Sequence, residues 1–227
     1  MYCDYCNEIL GQQNTFNSIY GDFNRIVYQT DNFVIFPCLG QLREGHLLVA
    51  SKNHINAAGS LENKQLEELD CVIKEVCGFI EHEFGTTALI FEHGVLDDSG
   101  ANGGCGISHM HLHILPVSDG ELNGIKLLLK TDQAIKINDA EKFNDTTRFT
   151  EEGNTYIFWG NANKTGILYA QILTKKTNYF ESQYMRKIVA SVFGNHSWNW
   201  KDCTSPEPEL LRTFEKAKSY FSSIHDY

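Results

Sequence analysis

A mixed fold of strands and helices is predicted, and three observations predict it. Short β-rich runs recur along the chain. One long stretch, residues 62–84, repeats apolar residues at helical spacing. The segment His109-Met110-His111-Leu112-His113-Ile114 alternates with the period of a strand.

The composition bounds the protein class. The chain has 227 residues, 42% hydrophobic and 21% charged, enough for one large domain or two small ones with a proper core. No apolar run approaches the roughly 18 residues of a membrane span. The start, MYCDYCNEIL, has neither a basic nor an apolar region of a signal peptide. A cytoplasmic protein with no membrane partner is therefore expected. The formal charge of −10 repels polyanions, which argues against a nucleic-acid groove. A small phosphate compound could still be held by imidazolium, backbone N–H groups and a few Lys or Arg. Seven cysteines, an odd number, read as reduced thiols rather than a disulfide frame, and only Cys3 and Cys6 are spaced C-x-x-C.

In chain order, residues 26–30 and 33–36 read as strands around a turn at Asp31-Asn32. Residues 46–50 form another, closed by Ser51-Lys52-Asn53-His54. The helix over 62–84 rests on Leu66, Leu69, Ile73, Val76 and Ile80, with Val72 and Phe79 widening the stripe and Gly85 placed to end it. Residues 87–92 read as a strand. Residues 94–106 hold five glycines and predict irregular structure. The histidine strand follows and stops at Pro116. From about 118 to 152 no element stands out. Strands are expected at 155–160 and 166–173, with Gly160-Asn161-Ala162-Asn163 as the loop between them. Helices are expected at 181–193 and 206–223, the latter with Ser205 as N-cap and Pro206 at its first position. The unusual chemistry falls in residues 1–118. Residues 119–227 form an additional strand-and-helix region packed on the first part.

In a strand, His109, His111 and His113 share one face at steps of about 6.6–6.8 Å. Met110, Leu112 and Ile114 share the other, which can pack on the long helix. The residues alone leave three readings of the imidazole face. It could be a solvated polar face. It could bind metal, although three ligands on one straight strand span too far to converge on one ion. It could carry phosphate chemistry, because a neutral imidazole is a nucleophile and a neighbouring one a donor near pH 7. The glycine-rich turn before it could expose N–H groups to an anion, or be only a tight turn.

His109-Met110-His111-Leu112-His113-Ile114-Leu115 fills the signature His-φ-His-φ-His-φ-φ, and Gly45-His46-Leu47-Leu48-Val49-Ala50-Ser51-Lys52-Asn53-His54 matches G-H-x-L-V-x-x-K-x-H. On these segments, about residues 3–118 resemble the histidine-triad (HIT) family of nucleotide hydrolases and transferases. The resemblance implies an α+β fold, an antiparallel sheet packed against a long helix. It implies that His111 attacks phosphorus to form a nucleotidyl-histidine intermediate, that His113 bonds the phosphate, and that His46 stands at the edge of the site. Gly104, Cys105, Gly106 and Ser108 become candidates for phosphate or nucleotide binding. Metal-containing relatives imply a structural zinc on Cys3, Cys6, His54 and His109; otherwise the two thiols belong to a frayed terminus. Small relatives are homodimers; residues 119–227 could instead supply a pseudo-dimer within one chain.

Two departures stand out. Cys38 occupies the position where relatives use a carboxylate on the ribose hydroxyls, and Cys105 stands where single-domain relatives carry Gln. They motivate an alternative, a non-catalytic nucleotide- or protein-binding module on the same fold. A metal hydrolase using the histidines directly is a third reading. In Glu181-Ser182-Gln183-Tyr184-Met185-Arg186-Lys187, Gln183 or Arg186 could turn toward a phosphate, but the ordinary expectation is a solvated helix face.

Overall fold

The computed structural model describes residues 2–95 and 106–225. Two short helices, α1 (Asp4–Ile9) and α2 (Thr15–Tyr20), precede three strands, β1 (Tyr28–Gln29), β2 (Phe33–Pro37) and β3 (Leu47–Ser51). Then come α3 (Asn63–Phe84), β4 (Thr87–Gly94), β5 (His111–Val117), α4 (Asp119–Thr131) and β6 (Ile135–Ala140). The chain ends with α5 (Thr147–Glu151), β7 (Tyr156–Asn163), β8 (Gly166–Lys175), α6 (Tyr184–Phe193) and α7 (Pro208–His225). The strands make one eight-stranded sheet in the order β1-β2-β3-β5-β4-β7-β8-β6. Every pairing is antiparallel, so the α+β expectation holds.

The long helix forms where its periodicity demands. Glu62 and Gln65 make a reciprocal capping box at its start, and Gly85 ends it in the left-handed conformation at φ 66. Its buried stripe, including Leu66, Leu69, Ile73, Val76 and Ile80, packs on Met110, Leu112 and Ile114. Phe79 at the centre of this layer is fully buried, and truncating it to Ala would cost about 3–5 kcal/mol. The opposite face is covered too. Near β2 and β3, Tyr5 and its neighbours lie over Val34, Phe36, Leu48 and Ala50. Farther along, Leu122 and Ile125 of α4 and Met185 and Val189 of α6 cover Leu89, Phe91 and Trp159. The histidine face of β5 is therefore roofed.

Several boundaries differ from expectation for local reasons. β5 starts at His111, so His109 and Met110 precede the strand, and it runs through Pro116 to Val117. Proline is tolerated because the β3 ladder has ended at Leu47↔Ile114, and Pro116 O on that side accepts from Arg43 Nη1. Gly160–Asn163 is not a loop but the end of β7. A Cβ at Gly160 would run into the Tyr169 carbonyl, so this glycine marks a close approach of two strands. The last helix starts at Pro208, not Pro206, and proline takes the first-turn position where no N–H is needed. The stretch 118–152 holds α4, β6 and α5, with Ser118 capping α4 through the Glu121 amide. Among the described residues no helix is long and apolar enough to cross a membrane.

Candidate functional site

His111 and His113 enter the sheet between β3 and β4, opposite Ala50 and Leu48. Their ring centroids are 5.1 Å apart. Tyr5 of α1 meets the rings of both His109 and His111 edge-on, at 5.8 and 5.2 Å, so these imidazoles share a side although His109 lies outside the strand. His46 immediately precedes β3 and reaches the same place.

The hydrogen bonds fix where the protons sit. The Nδ1–H of His111 donates to the carbonyl of His109 at 2.6 Å, and neutral His111 therefore keeps its lone pair on Nε2. The Leu42 N–H donates to His46 Nδ1 at 3.3 Å. His46 must then carry its proton on Nε2, which donates to His113 Nδ1 at 2.9 Å. The proton of neutral His113 is thereby left on Nε2. The ring of His113 is further clamped by stacking on Phe91 at 4.3 Å. Burial, above all, holds all three rings neutral: it brings His111 down to about 4 and pushes His46 and His113 well below the usual imidazole range, with Arg186 adding repulsion. The arrangement pairs one open imidazole nitrogen with one N–H donor.

His109 is turned the other way. Its Nε2–H donates to the Ser51 carbonyl at 2.7 Å, leaving Nδ1 facing two thiols. Cys3 Sγ and Cys6 Sγ lie 3.4 and 3.5 Å from it, and Cys6 Sγ lies 3.3 Å from His54 Nδ1. The ligand atoms of Cys3, Cys6, His54 and His109 all lie within 4.8 Å of one another and could hold a metal ion. The fit is chemical as well as spatial. Zinc bonds of about 2.3 Å to sulfur and 2.05 Å to nitrogen put S and N roughly 3.6 Å apart in a tetrahedron, close to these spacings. The carbonyl behind His109 is the outer contact that orients a ligating imidazole. Burial and the neighbouring Cys3 push the Cys6 thiol up to about 11, so two thiolates side by side call for a cation.

A second cluster, Cys38, His46 and His113, also gathers donor atoms within 4.8 Å. It is a poor cation site. The His113 Nδ1 lone pair is already bonded to His46, and the Arg186 guanidinium lies 3.3 Å from Cys38 Sγ.

His111 and His113 border a pocket with Tyr5, Phe16, Arg25, Cys38, Ile107, Arg186 and Trp200. Its cavity of about 20 Å³ has room for a water-sized group. Most of these walls were not foreseen from the sequence. Tyr5 follows Cys3 on a helix too short to announce itself. Arg186, expected on a solvated face, is fully buried. A signal existed: it lies within the buried stripe Met185, Val189 and Ala190 at three- and four-residue steps. His93 is a further buried imidazole on this face, two residues beyond Phe91, which pairs with His113. It accepts from the Met185 N–H through Nε2, and its Nδ1 has no partner among the described residues.

The remaining candidates are less engaged. Gly104 and Cys105 lie outside the described residues. Gly106 is exposed, at φ 90, with Lys201 and Trp200 beside it, and Ser108 is half-buried; neither lines the pocket. Gln183 is tied to Asn199 and to the Trp200 amide rather than turned toward the pocket.

A family model described as the HIT domain matches residues 23–120. The chain is 25% identical over 107 residues to the nitrilase and fragile histidine triad fusion protein NitFhit of Caenorhabditis elegans, covering 47% of this chain and 23% of that protein. It is 26% identical over 90 residues to Protein hit of Bacillus subtilis (strain 168), covering 40% of this chain and 59% of that protein. The chain thus spans less than two thirds of the length of either relative. Among solved structures, a hypothetical histidine triad nucleotide-binding protein from Sulfolobus tokodaii strain7 is similar at 24% identity and a TM-score of 0.40, covering 52% of this chain and 70% of that one.

Proposed function

We propose that the chain, whose residues 23–120 match the HIT-domain model, is an enzyme that cleaves or transfers a nucleotidyl group through His111. One observation carries this reading: the bond from His111 Nδ1–H to the His109 carbonyl at 2.6 Å, which leaves Nε2 as the open nucleophile of a buried ring.

In the first step the Nε2 lone pair attacks phosphorus. A P–N bond forms as the bond from phosphorus to the leaving group breaks, and the leaving group takes that electron pair. Positive charge grows on the ring, and the His109 carbonyl at Nδ1–H stabilises it. The Nε2–H of His113 donates to a phosphoryl oxygen; His46 keeps that proton in position. In the second step water or another acceptor attacks phosphorus, the P–N bond breaks, the acceptor's proton leaves to solvent, and neutral His111 returns.

Cys3, Cys6, His54 and His109 hold zinc in this proposal. When bound, zinc acts structurally, fastening α1 and with it Tyr5 against the histidine face. Residues 1–118 form the catalytic portion and 119–227 the extension. Because β7 of the same chain occupies the β4 edge, the intrachain pseudo-dimer is favoured over a homodimer through that edge.

The test is a panel of nucleotide sugars, dinucleoside polyphosphates and nucleoside phosphoramidates, assayed for product with the wild type and with His111→Asn. Turnover of at least one compound that the variant abolishes supports the reading; turnover that survives the substitution overturns it. Cys38, which lines the pocket where relatives carry a carboxylate, favours a second reading, a binding module without chemistry. Saturable nucleotide binding with no product across the panel would support that one.

A further inference from the structure

Two arginines line the pocket beside His111, and they are not alike. Arg25 is buried, but Glu8 neutralises it: Nε and Nη2 donate to the two carboxylate oxygens at 2.7 and 2.8 Å. Arg186 is equally buried and has no carboxylate partner among the described residues. Its Nε donates to the Trp198 carbonyl at 2.7 Å, Nη2 to the Gly40 carbonyl at 2.6 Å and Nη1 to Cys38 Sγ at 3.3 Å. All three acceptors are neutral.

A buried cation without a counter-anion is expensive, which is why buried charges are almost always paired. These bonds hold the guanidinium in one orientation. They also use only three of its five N–H groups, leaving one on each terminal nitrogen. Guanidinium N–H groups match the oxygens of a tetrahedral oxyanion. The surrounding imidazoles are neutral and cannot supply that charge. Arg186 lines the same pocket as His111 and His113.

We propose that Arg186, supplied by the C-terminal extension, is the anion-binding residue of this pocket and receives the oxygens of the phosphate presented to His111. This deepens the proposed function, since it takes the same pocket as the ligand site, and it defines the ligand class as a phosphate oxyanion. It also gives residues 119–227 a direct part in ligand binding. The segment after α6 keeps the arginine in place, with Trp198 bonded to it and Trp200 close over Gly40, where a Cβ would meet the Trp200 backbone at 2.7 Å.

The experiment is titration of the full chain with inorganic phosphate, followed by calorimetry and by the side-chain 15N–1H resonances of arginine. The wild type is expected to bind one phosphate per chain with a shift of the Arg186 Nε–H signal, which Arg186→Lys identifies by its disappearance. Arg186→Gln should weaken binding about tenfold or more, and Arg186→Lys should weaken it by a smaller factor. If the glutamine variant does not fold, the lysine variant and the wild-type resonance shift carry the test. Absence of phosphate binding by the wild type, or wild-type affinity in a folded Arg186 variant, would overturn the proposal. Phosphate binding that depends on Arg186 in a protein that never forms a His111 adduct would uphold it while the nucleophile reading fell.

Discussion

His46 Nε2–H donates to His113 Nδ1 at 2.9 Å, and the Leu42 amide on the far side of His46 leaves no other direction for that proton. One backbone N–H thus decides, two rings away, which nitrogen of His113 faces the pocket as a donor. His46 works as a positioning residue. Replacing it with Phe removes the donor and frees His113 to take either tautomer. The expected outcome is a fall in kcat of about tenfold or more with a smaller change in KM. Steady-state kinetics on whichever nucleotide the wild type turns over checks this, and an unchanged kcat would contradict it.

The sulfur and nitrogen atoms of Cys3, Cys6, His54 and His109 make a closed tetrahedral set. Purified protein should contain close to one zinc per chain by elemental mass spectrometry, and Cys6→Ser should contain far less. Stripping the metal should lower the melting temperature, since a ligand at a thousand times its Kd contributes about 4 kcal/mol. Affinity should fall as pH falls, because protons compete for the thiolates. A folded preparation with little metal and an unchanged melt after chelation would count against the site.

Glu92 is fully buried between the Ala58 amide and the Tyr156 hydroxyl, and burial pushes its carboxyl up to about 7 from an ordinary 4.5. A carboxyl with a raised folded-state pKa stabilises most below its unfolded pKa, where both states hold the proton. That contribution is lost between about pH 4.5 and 7, as the unfolded chain ionises first, and it amounts to roughly 3 kcal/mol. Glu92→Gln keeps a similar shape and cannot ionise. Denaturant melts at pH 5 and pH 8 should show a steeper loss of stability in the wild type than in the variant. Parallel losses would mean that Glu92 ionises in the fold at an ordinary pH.

What could be read in advance follows from how local each feature is. The helix at Asn63–Phe84 was legible because many turns repeat one apolar stripe and Gly85 ends it. The common side of His111 and His113 follows from alternation, which is a property of the backbone, whereas His109 precedes the strand. The division of labour among them is not local. It depends on Cys3 and Cys6 arriving from the N-terminus and on Leu42 meeting His46, and the ligand set came from the resemblance rather than from spacing. Gly160 is ambiguous in sequence because a glycine that opens a loop and one that admits a neighbouring strand look identical there. The burial of Arg186 is hard to read in sequence because charge usually means solvent; its place in the apolar stripe of α6 is the contrary signal.

The central claim is that His111 forms a covalent bond to phosphorus, and acid-quenched intact mass spectrometry after brief mixing with a turned-over nucleotide tests it most directly. The account predicts a mass increase equal to one nucleotidyl group, mapped by peptide sequencing to His111 and absent from His111→Asn. An adduct that persists in that variant, or rapid turnover with no adduct at any quench time, would contradict it.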